Sequence, residues 1–479
     1  MYGFDSAELV TGAYSLGIVH ATGYPLYLLL GKLFTYVPWG DVAYGLNLMS
    51  ATFAALTVVV VYHIMLLLTG NSFLSLASVM LFSFSYYYWH VAVVAEVYTL
   101  HLFLLAVLIL ILLVWERDRT PWLLPAFMLV YGLSLGNHMS GILSSFGFVY
   151  FILRVDARQF LTLKTLTLML FAFLLGLSVY LYLPLRYAAE PPLNYVKAYY
   201  GVDLRSPKGL FWMISGQMYR FFAFGYDWSG FLSEVGRYFS YLWRNYLGIG
   251  VIIGLVGGFR QFRDDRKTFF FLWLIFATNA LFFINYAVVD KDTMFLPTYL
   301  VWVLWIAIGF QESIQWIGHW VTDVTHRWAG SCLTWIPLST ALLIGLLALV
   351  LNYRWVDQSQ NRTAQEFADR VFATAEPDSL VLARWSSAVV LEYFQVVEGQ
   401  RPDLTVFNRS RFNVASYYKL WSQGASTPEI LADIEHEEIS LVDRASETRP
   451  VYLIEYDPVF AQQYEYRPIG GYYKLQRKP

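Results

Sequence analysis

Residues 46–68 read LNLMSATFAALTVVVVYHIMLLL. The run carries no acidic side chain, no lysine or arginine, and no glycine or proline. At its length it matches the roughly 20 apolar residues that a helix needs to cross a hydrocarbon core about 30 Å thick. The pattern recurs on both sides. Further spans are expected at about 73–89, 95–115, 122–136, 139–153, 165–184, 246–258, 268–288, 295–315 and 335–351, which makes about ten. Composition agrees: 57% of residues are hydrophobic and 14% charged, against about 25% charged in soluble domains. The aromatic share of 19% fits Trp and Tyr marking membrane–water interfaces. A net charge of −2 gives nucleic acid no reason to bind, and the single cysteine, Cys332, excludes an internal disulfide and a cysteine metal cluster. The start lacks the basic region and small-residue cleavage site of a secretory signal.

Two segments break the series. Residues 187–245 are rich in Tyr and Phe but too interrupted by polar residues to cross, so short helices lying in an external interface are expected there. At Asn352 the composition changes. NRTAQEFADRVFATA reads as a helix, SLVLAR as a strand, SAVVLEYFQVV as a helix, and DLTVFN and PVYLIE as strands. This alternation predicts a small α/β domain over 352–479 with a mainly parallel sheet. Asn361-Arg362-Thr363 matches a glycosylation sequon, a weak three-residue signal.

Basic residues in short loops mark the cytoplasm. Arg117 and Arg119, then Arg154, Arg158 and Lys164, then Arg260, Arg263, Arg266 and Lys267 fall in three such loops, and the span count puts all three on one side. The opposite, extracytoplasmic side then receives residues 1–45, Glu96, Asn137-His138, Arg186, residues 187–245, Asp290-Lys291-Asp292 and the C-terminal domain. Ionisable groups at a membrane boundary are normally paired or functional, because burying one in the bilayer costs at least about 2.5–3.5 kcal/mol. Sharing one outer pocket would explain them together.

Residues 5–25, DSAELVTGAYSLGIVHATGYP, carry the densest chemistry. Asp5 and Glu8 have the spacing of a helix capping box and equally that of a general base with a neighbouring carboxylate. His20 precedes Gly23-Tyr24-Pro25, a turn set by glycine freedom and proline's fixed φ. His20 also suits a satisfied interfacial histidine, and Glu96 a helix N-terminus. Asn137-His138 also suits a hairpin tip and Arg186 a snorkelling anchor. As functional groups, Arg186 would fork onto a phosphate and Lys291 would meet one as a point charge. Asp290 and Asp292 with the other carboxylates could hold a divalent cation through oxygen ligands, although no recognisable metal spacing is present.

These segments resemble a membrane family long labelled a domain of unknown function. Its animal member is an endoplasmic-reticulum protein O-mannosyltransferase acting on plexin-type receptor domains, and the family lies within the GT-C glycosyltransferases. The resemblance rests on DSAE (5–8), H-x-x-GYPLY (20–27), GKLF (31–34), LNLMSA (46–51), VVAEVY (93–98), GLSLGNH (132–138), YLPLR (182–186), PPLNY (191–195) and DKDTMFLP (290–297), in the family's order. The C-terminal domain is similar to the tail of bacterial members, for which the plasma or inner membrane is implied. The family usually has prolines where Ala21 and Thr22 stand.

The resemblance implies a GT-C-like helical domain over 1–351, with 1–45 as the external catalytic loop and a first helix missing upstream of Asp5. It implies transfer of a sugar, mannose among the candidates, from a polyprenyl-phosphate carrier to a protein, lipid or glycan acceptor. Asp5 would be the base, with Glu8 as second candidate. His20, Tyr24, Glu96, Asn137, His138, Arg186, Asp290, Lys291 and Asp292 would line the pocket or hold the donor. No resident metal follows from it. A transporter or lipid flippase would favour internal repeats and midplane charges, neither of which is evident. An anchored binding or assembly protein would not need so many spans.

Overall fold

A computed structural model gives the architecture for residues 3, 5–288, 291–324 and 330–479; the side chains of 317–338 are outside the description. The first 45 residues, expected as a loop, hold two helices: α1 (Asp5–Ser15) and α2 (Pro25–Phe34). The sequence looks loop-like there because α1 buries nearly every face, polar residues included, among other protein segments rather than in lipid. Tyr24 caps α2 at a φ of 41° and Pro25 opens it, as the missing proline N–H allows.

The bundle follows: α3 (Val42–Thr69), α4 (Ser72–Ser83), α5 (Tyr86–Ala92), α6 (Tyr98–Asp118), α7 (Leu123–Asn137), α8 (Ser145–Phe160), α9 (Leu163–Leu177) and α10 (Tyr182–Ala188). After the short α11 (Pro207–Ile214) come α12 (Trp228–Asn245), α13 (Ile249–Asp264), α14 (Arg266–Ile284), α15 (Leu296–Val324) and α16 (Gly330–Val356). Seven helical stretches among the described residues are long and apolar enough to cross a membrane, and α12 with α13 forms an eighth candidate bent by 101°. That is fewer than the ten expected. The runs at 73–89 and 122–136 belong to helices too short by that measure: α4 and α5 break at Phe84-Ser85, and α7 ends at Asn137.

The 187–245 segment contains short helices, as expected. Along α12, Trp228, Leu232, Phe239 and Trp243 are all exposed. At about 100° per residue they fall within one narrow stripe, while Glu234, Tyr238 and Leu242 face the protein.

Helix α16 runs past the expected boundary at 351 to Val356. Beyond it lie α17 (Thr363–Thr374), β1 (Leu380–Ala383), α18 (Trp385–Val396), β2 (Thr405–Asn408), α19 (Arg409–Ser422), α20 (Thr427–Ser446), β3 (Val451–Leu453), β4 (Tyr464–Ile469) and β5 (Tyr472–Arg477). The sheet order is β2-β1-β3-β5-β4. Strands β2, β1 and β3 are parallel, with Leu380 opposite Thr405 and Val451, and β3-β5-β4 is antiparallel. The sheet is therefore mixed. The β4–β5 hairpin, turning at Gly470-Gly471, is an addition to the expected parallel core.

The C-terminal domain does not hang free. One face of its sheet and helices α17 and α18 share a continuous apolar core with α1, α2, the start of α6 and residues 180–213. The other sheet face has its own core with α20. A third and largest core fills the bundle.

A candidate active site

The bundle has two chemically different ends. At one, Lys267 pairs with Glu116, and Arg119 donates to the Val155 carbonyl at 2.7 Å. These contacts tie the three basic loops to a single end, as the charge pattern predicted. Helix α6 runs from there to Tyr98, about 30 Å away at 1.5 Å per residue. The carboxylates gather around that far end.

Glu8 is completely buried there. One of its oxygens accepts from the His20 backbone N–H at 2.7 Å, and the other faces His20 Nδ1 at 2.7 Å. Glu8 therefore does not reach back to cap α1; it fixes the chain twelve residues on. With Glu8 ionised, Nδ1 carries the proton, and His20 Nε2 accepts from the Tyr24 hydroxyl at 2.9 Å. Gly23, at a φ of 84°, makes the turn that brings Tyr24 back onto His20. Its N–H donates to the His20 carbonyl, and a Cβ there would meet Leu183 at 2.8 Å.

Asp5, at the open start of α1, is the exposed member. Its side chain is 42% accessible, and His20 Nε2 lies 4.0 Å from Oδ2. His138 stacks on Tyr24 at 5.8 Å and lies 5.7 Å from Tyr98 and 5.3 Å from His101. Tyr98 is within electrostatic reach of Glu96, Asp5 and Asp292. Asn137 is buried and donates to the Val97 carbonyl, next to Tyr98, at 3.1 Å. Thus Asp5, Glu8, His20, Tyr24 and His138 are brought together, with Asn137, Glu96 and Asp292 connected to them through the Tyr98 surroundings.

Two expected phosphate-binding cations are engaged elsewhere. Arg186 donates to the carbonyls of Leu16 at 2.7 Å and Ser15 at 3.2 Å. It satisfies the C-terminal end of α1, about 15 Å from Asp5 by helix length. Lys291 is buried, 2.5 Å from Glu234, and donates to the carbonyls of Ile284 and Tyr286 and to the Tyr226 hydroxyl. Asp290 lies outside the described residues.

The cation at the carboxylates comes from the C-terminal domain. Arg411 donates to Glu8 at 3.3 Å and to the Tyr219 hydroxyl at 2.8 Å. Its guanidinium carbon lies 3.2 Å from the centre of the Trp385 ring. The Trp385 indole N–H donates to Asp5 at 2.8 Å. Both residues follow the carboxyl ends of parallel strands, Trp385 after β1 and Arg411 after β2, where α/β sheets place their functional groups. Asn408 caps α19 by accepting from the Arg411 N–H, and Ser410 accepts from the Trp385 N–H at 2.9 Å, locking the two loops together. Residue patterns alone gave no hint of this, because the partners are about 400 positions apart. The one visible signal was Arg409-Ser410-Arg411 directly after a strand. Of that pair Arg409 turns inward, held by Glu438 and Asp457.

Burial alone would push the Glu8 carboxyl up. Electrostatic attraction to His20, then the Arg411 charge and the hydrogen bonds from His20, more than offset that, and Glu8 is held below the ordinary carboxylate range. Burial, then the Asp5 carboxylate, push the Tyr24 phenol well above its usual value, so it stays a neutral donor. Burial, then His101 and His20, push His138 down to about 3. Glu392 is pushed up to about 8, by burial first and also by the Glu8 charge, and it shares a hydrogen bond with Tyr195. Asp5, Glu8 and His20 each bring a ligand atom within 4.8 Å of the others, a spacing able to hold a cation. Yet the Glu8 oxygens already face His20 and Arg411, and the guanidinium supplies positive charge at the same point. A cation there would have to displace it.

Residues 5–162, the segment holding Asp5, Glu8, His20, Tyr24, Glu96 and His138, match the N-terminal domain of protein O-mannosyl-transferase TMEM260. Mouse protein O-mannosyl-transferase TMEM260 is 26% identical over 441 residues, covering 87% of this chain and 60% of the mouse protein. The Dictyostelium discoideum protein of the same name is 25% identical over 455 residues, covering 85% of this chain and 54% of its own length. The chain thus spans less than two thirds of either relative. Among solved structures, ArnT from Cupriavidus metallidurans, bound to undecaprenyl phosphate, superposes over 98% of this chain and 91% of its own with a TM-score of 0.54 at 9% identity. That likeness shows that the two chains share a fold.

Proposed function

We propose that this relative of the TMEM260 O-mannosyltransferases is a membrane glycosyltransferase, and that it moves a sugar from a polyprenyl-phosphate carrier to an acceptor hydroxyl with Asp5 as general base. One observation carries the reading: an exposed carboxylate beside a buried, fully engaged one, at a single end of a membrane-spanning bundle. The acceptor oxygen attacks the anomeric carbon and forms the new glycosidic bond. The bond from that carbon to the phosphate oxygen breaks, and the phosphate leaves on its lipid. The acceptor proton passes to Asp5, the carboxylate with an open side. Positioned general bases contribute about 10²–10⁴-fold to such a step. Glu8 is closed off from an incoming hydroxyl and serves to set the His20 tautomer, which in turn holds Tyr24.

A polyprenyl-phosphate donor is supported by the likeness in fold to an undecaprenyl-phosphate-bound protein. A protein hydroxyl acceptor is supported by the names of the curated relatives. The gathering of basic loops at the opposite end supports an extracytoplasmic site and C-terminal domain, since basic loops stay in the cytoplasm. The exposed apolar stripe of α12 would lie in the outer interface.

The test is direct. Protein reconstituted in liposomes is given radiolabelled mannosyl phosphate on a polyprenol, or the corresponding nucleotide sugar, with serine- and threonine-bearing polypeptide. Label reaching the polypeptide from the lipid donor and not from the nucleotide is the expected result. Transfer from neither donor would refute the reading.

A further inference from the structure

The C-terminal domain touches both carboxylates of the site. We propose that it is part of the reaction centre, supplying Arg411 and Trp385 as positioning residues for Glu8 and Asp5. This rests on the reading of Asp5 as the base.

The contacts make a closed circuit. Trp385 donates its indole N–H to Asp5 and offers its ring face to Arg411. Arg411 donates to Glu8, Glu8 holds His20 at two points, and the Trp385 and His20 rings meet edge to face at 5.8 Å. Every member is fixed by the next, and the guanidinium is itself only 8% exposed. A buried charge of this kind is costly unless paired, so a domain held only for stability would gain nothing by sending it here. An arginine suits the place because its planar fork can stack on an aromatic ring while donating in its own plane. The Arg411 Nε is buried with no hydrogen-bond partner.

Placement comes from elements that are local to the domain but aimed outward. The β1 and β2 ends, the Asn408 cap and the Ser410 bridge fix both side chains before they meet α1. Helix α18 packs on α1 within one apolar core, so docking of the domain and completion of the carboxylate pair are one event.

Two experiments separate this claim from the proposed function. The first needs no turnover. In a double-mutant cycle of Glu8→Gln and Arg411→Gln, melting temperatures of the full chain are compared. Residues in contact couple, so the double variant should lose clearly less than the sum of the single losses; additive shifts would overturn the contact. The second measures transfer by wild type, Arg411→Gln, Arg411→Lys and Trp385→Phe against pH. Glu8 is faced by His20, Arg411, Asp5, Glu392, Tyr195, Tyr200, Tyr219 and Tyr24. Of these, Arg411 is the fixed cation. Arg411→Gln should move the acidic limb of kcat up by about one pH unit. Arg411→Lys should restore the limb but not the rate. Trp385→Phe should lower kcat about 10- to 100-fold, the cost of misplacing a reacting group by an ångström or so, with KM little changed. Wild-type kcat and limb in all three variants would overturn the positioning role while leaving the transferase reading intact. Absence of transfer in wild type would strike the transferase reading, and the melting cycle would still decide the contact.

Discussion

Two of the buried ionic clusters among the described residues differ in character. Around Lys291 every contact is internal: Glu234, two backbone carbonyls and a tyrosine hydroxyl surround the ammonium group. Around Glu8 the contacts are just as tight, but the cluster has an open side, where Asp5 is 42% accessible. Burial and charge alone do not mark a reactive site, since both clusters share them. What separates them is the kind of group left facing outward: in the first it is Arg237, a half-exposed cation paired with Glu234 at 3.2 Å, and in the second it is Asp5, a carboxylate able to take a proton.

The sharpest way to break this contrast is to replace each pair. Lys291→Met alone leaves the buried Glu234 with only the half-exposed Arg237 as an ionic partner, and should cost about 3 kcal/mol of stability, the low end for a broken buried pair, seen as loss of folded protein in detergent. Lys291→Met with Glu234→Leu should recover the fold and keep transfer. Glu8→Leu with Arg411→Met should recover the fold likewise, but without transfer. Equal activity in the two double variants would erase the distinction.

Arg186 sharpens the comparison at a smaller scale. It satisfies carbonyls at the end of α1, so Arg186→Ala should lower stability by about 1–3 kcal/mol. KM for the lipid donor should stay unchanged. A raised donor KM with an unshifted melting temperature would instead give it the phosphate-binding role that its sequence position suggests.

The smallest expected effect concerns pH. Glu392 is held up to about 8 in the folded protein, against about 4.3 when unperturbed. Between those values the folded state binds more protons than the unfolded one, so stability falls as pH rises. The contribution is whole below the unfolded value and is lost as pH passes through about 8. From pH 6 to 9 the wild-type melting temperature should fall a few degrees more than that of Glu392→Gln. Parallel curves would show that Glu392 does not titrate in this range.

The membrane class, the shared end of the basic loops and the gathering of Asp5, Glu8, His20, Tyr24 and His138 were legible in the sequence. Span length, charge pattern and close spacing on one short segment are local signals. Three features were not legible. Helix α1, whose start the Asp5–Glu8 capping-box spacing suggests, reads as part of a loop because most of its faces, polar residues included, are buried by protein rather than lipid. The break at Phe84-Ser85 that divides the 73–89 run into α4 and α5 is hidden because the residues on both sides of it are apolar or aromatic. The roles of Arg411 and Trp385 depend on how one domain docks on another, and no local pattern records that. Nor does a motif show whether a cation is already engaged, as Arg186 and Lys291 are.

The central claim is that Asp5 takes the acceptor proton. Its most direct test is steady-state transfer from the lipid-linked donor by Asp5→Asn beside wild type, in the same liposomes and with matched melting temperatures. A kcat lower by about 10²–10⁴-fold, with KM for the donor within a few fold, is the predicted result. An Asp5→Asn protein that turns over at the wild-type rate would contradict it.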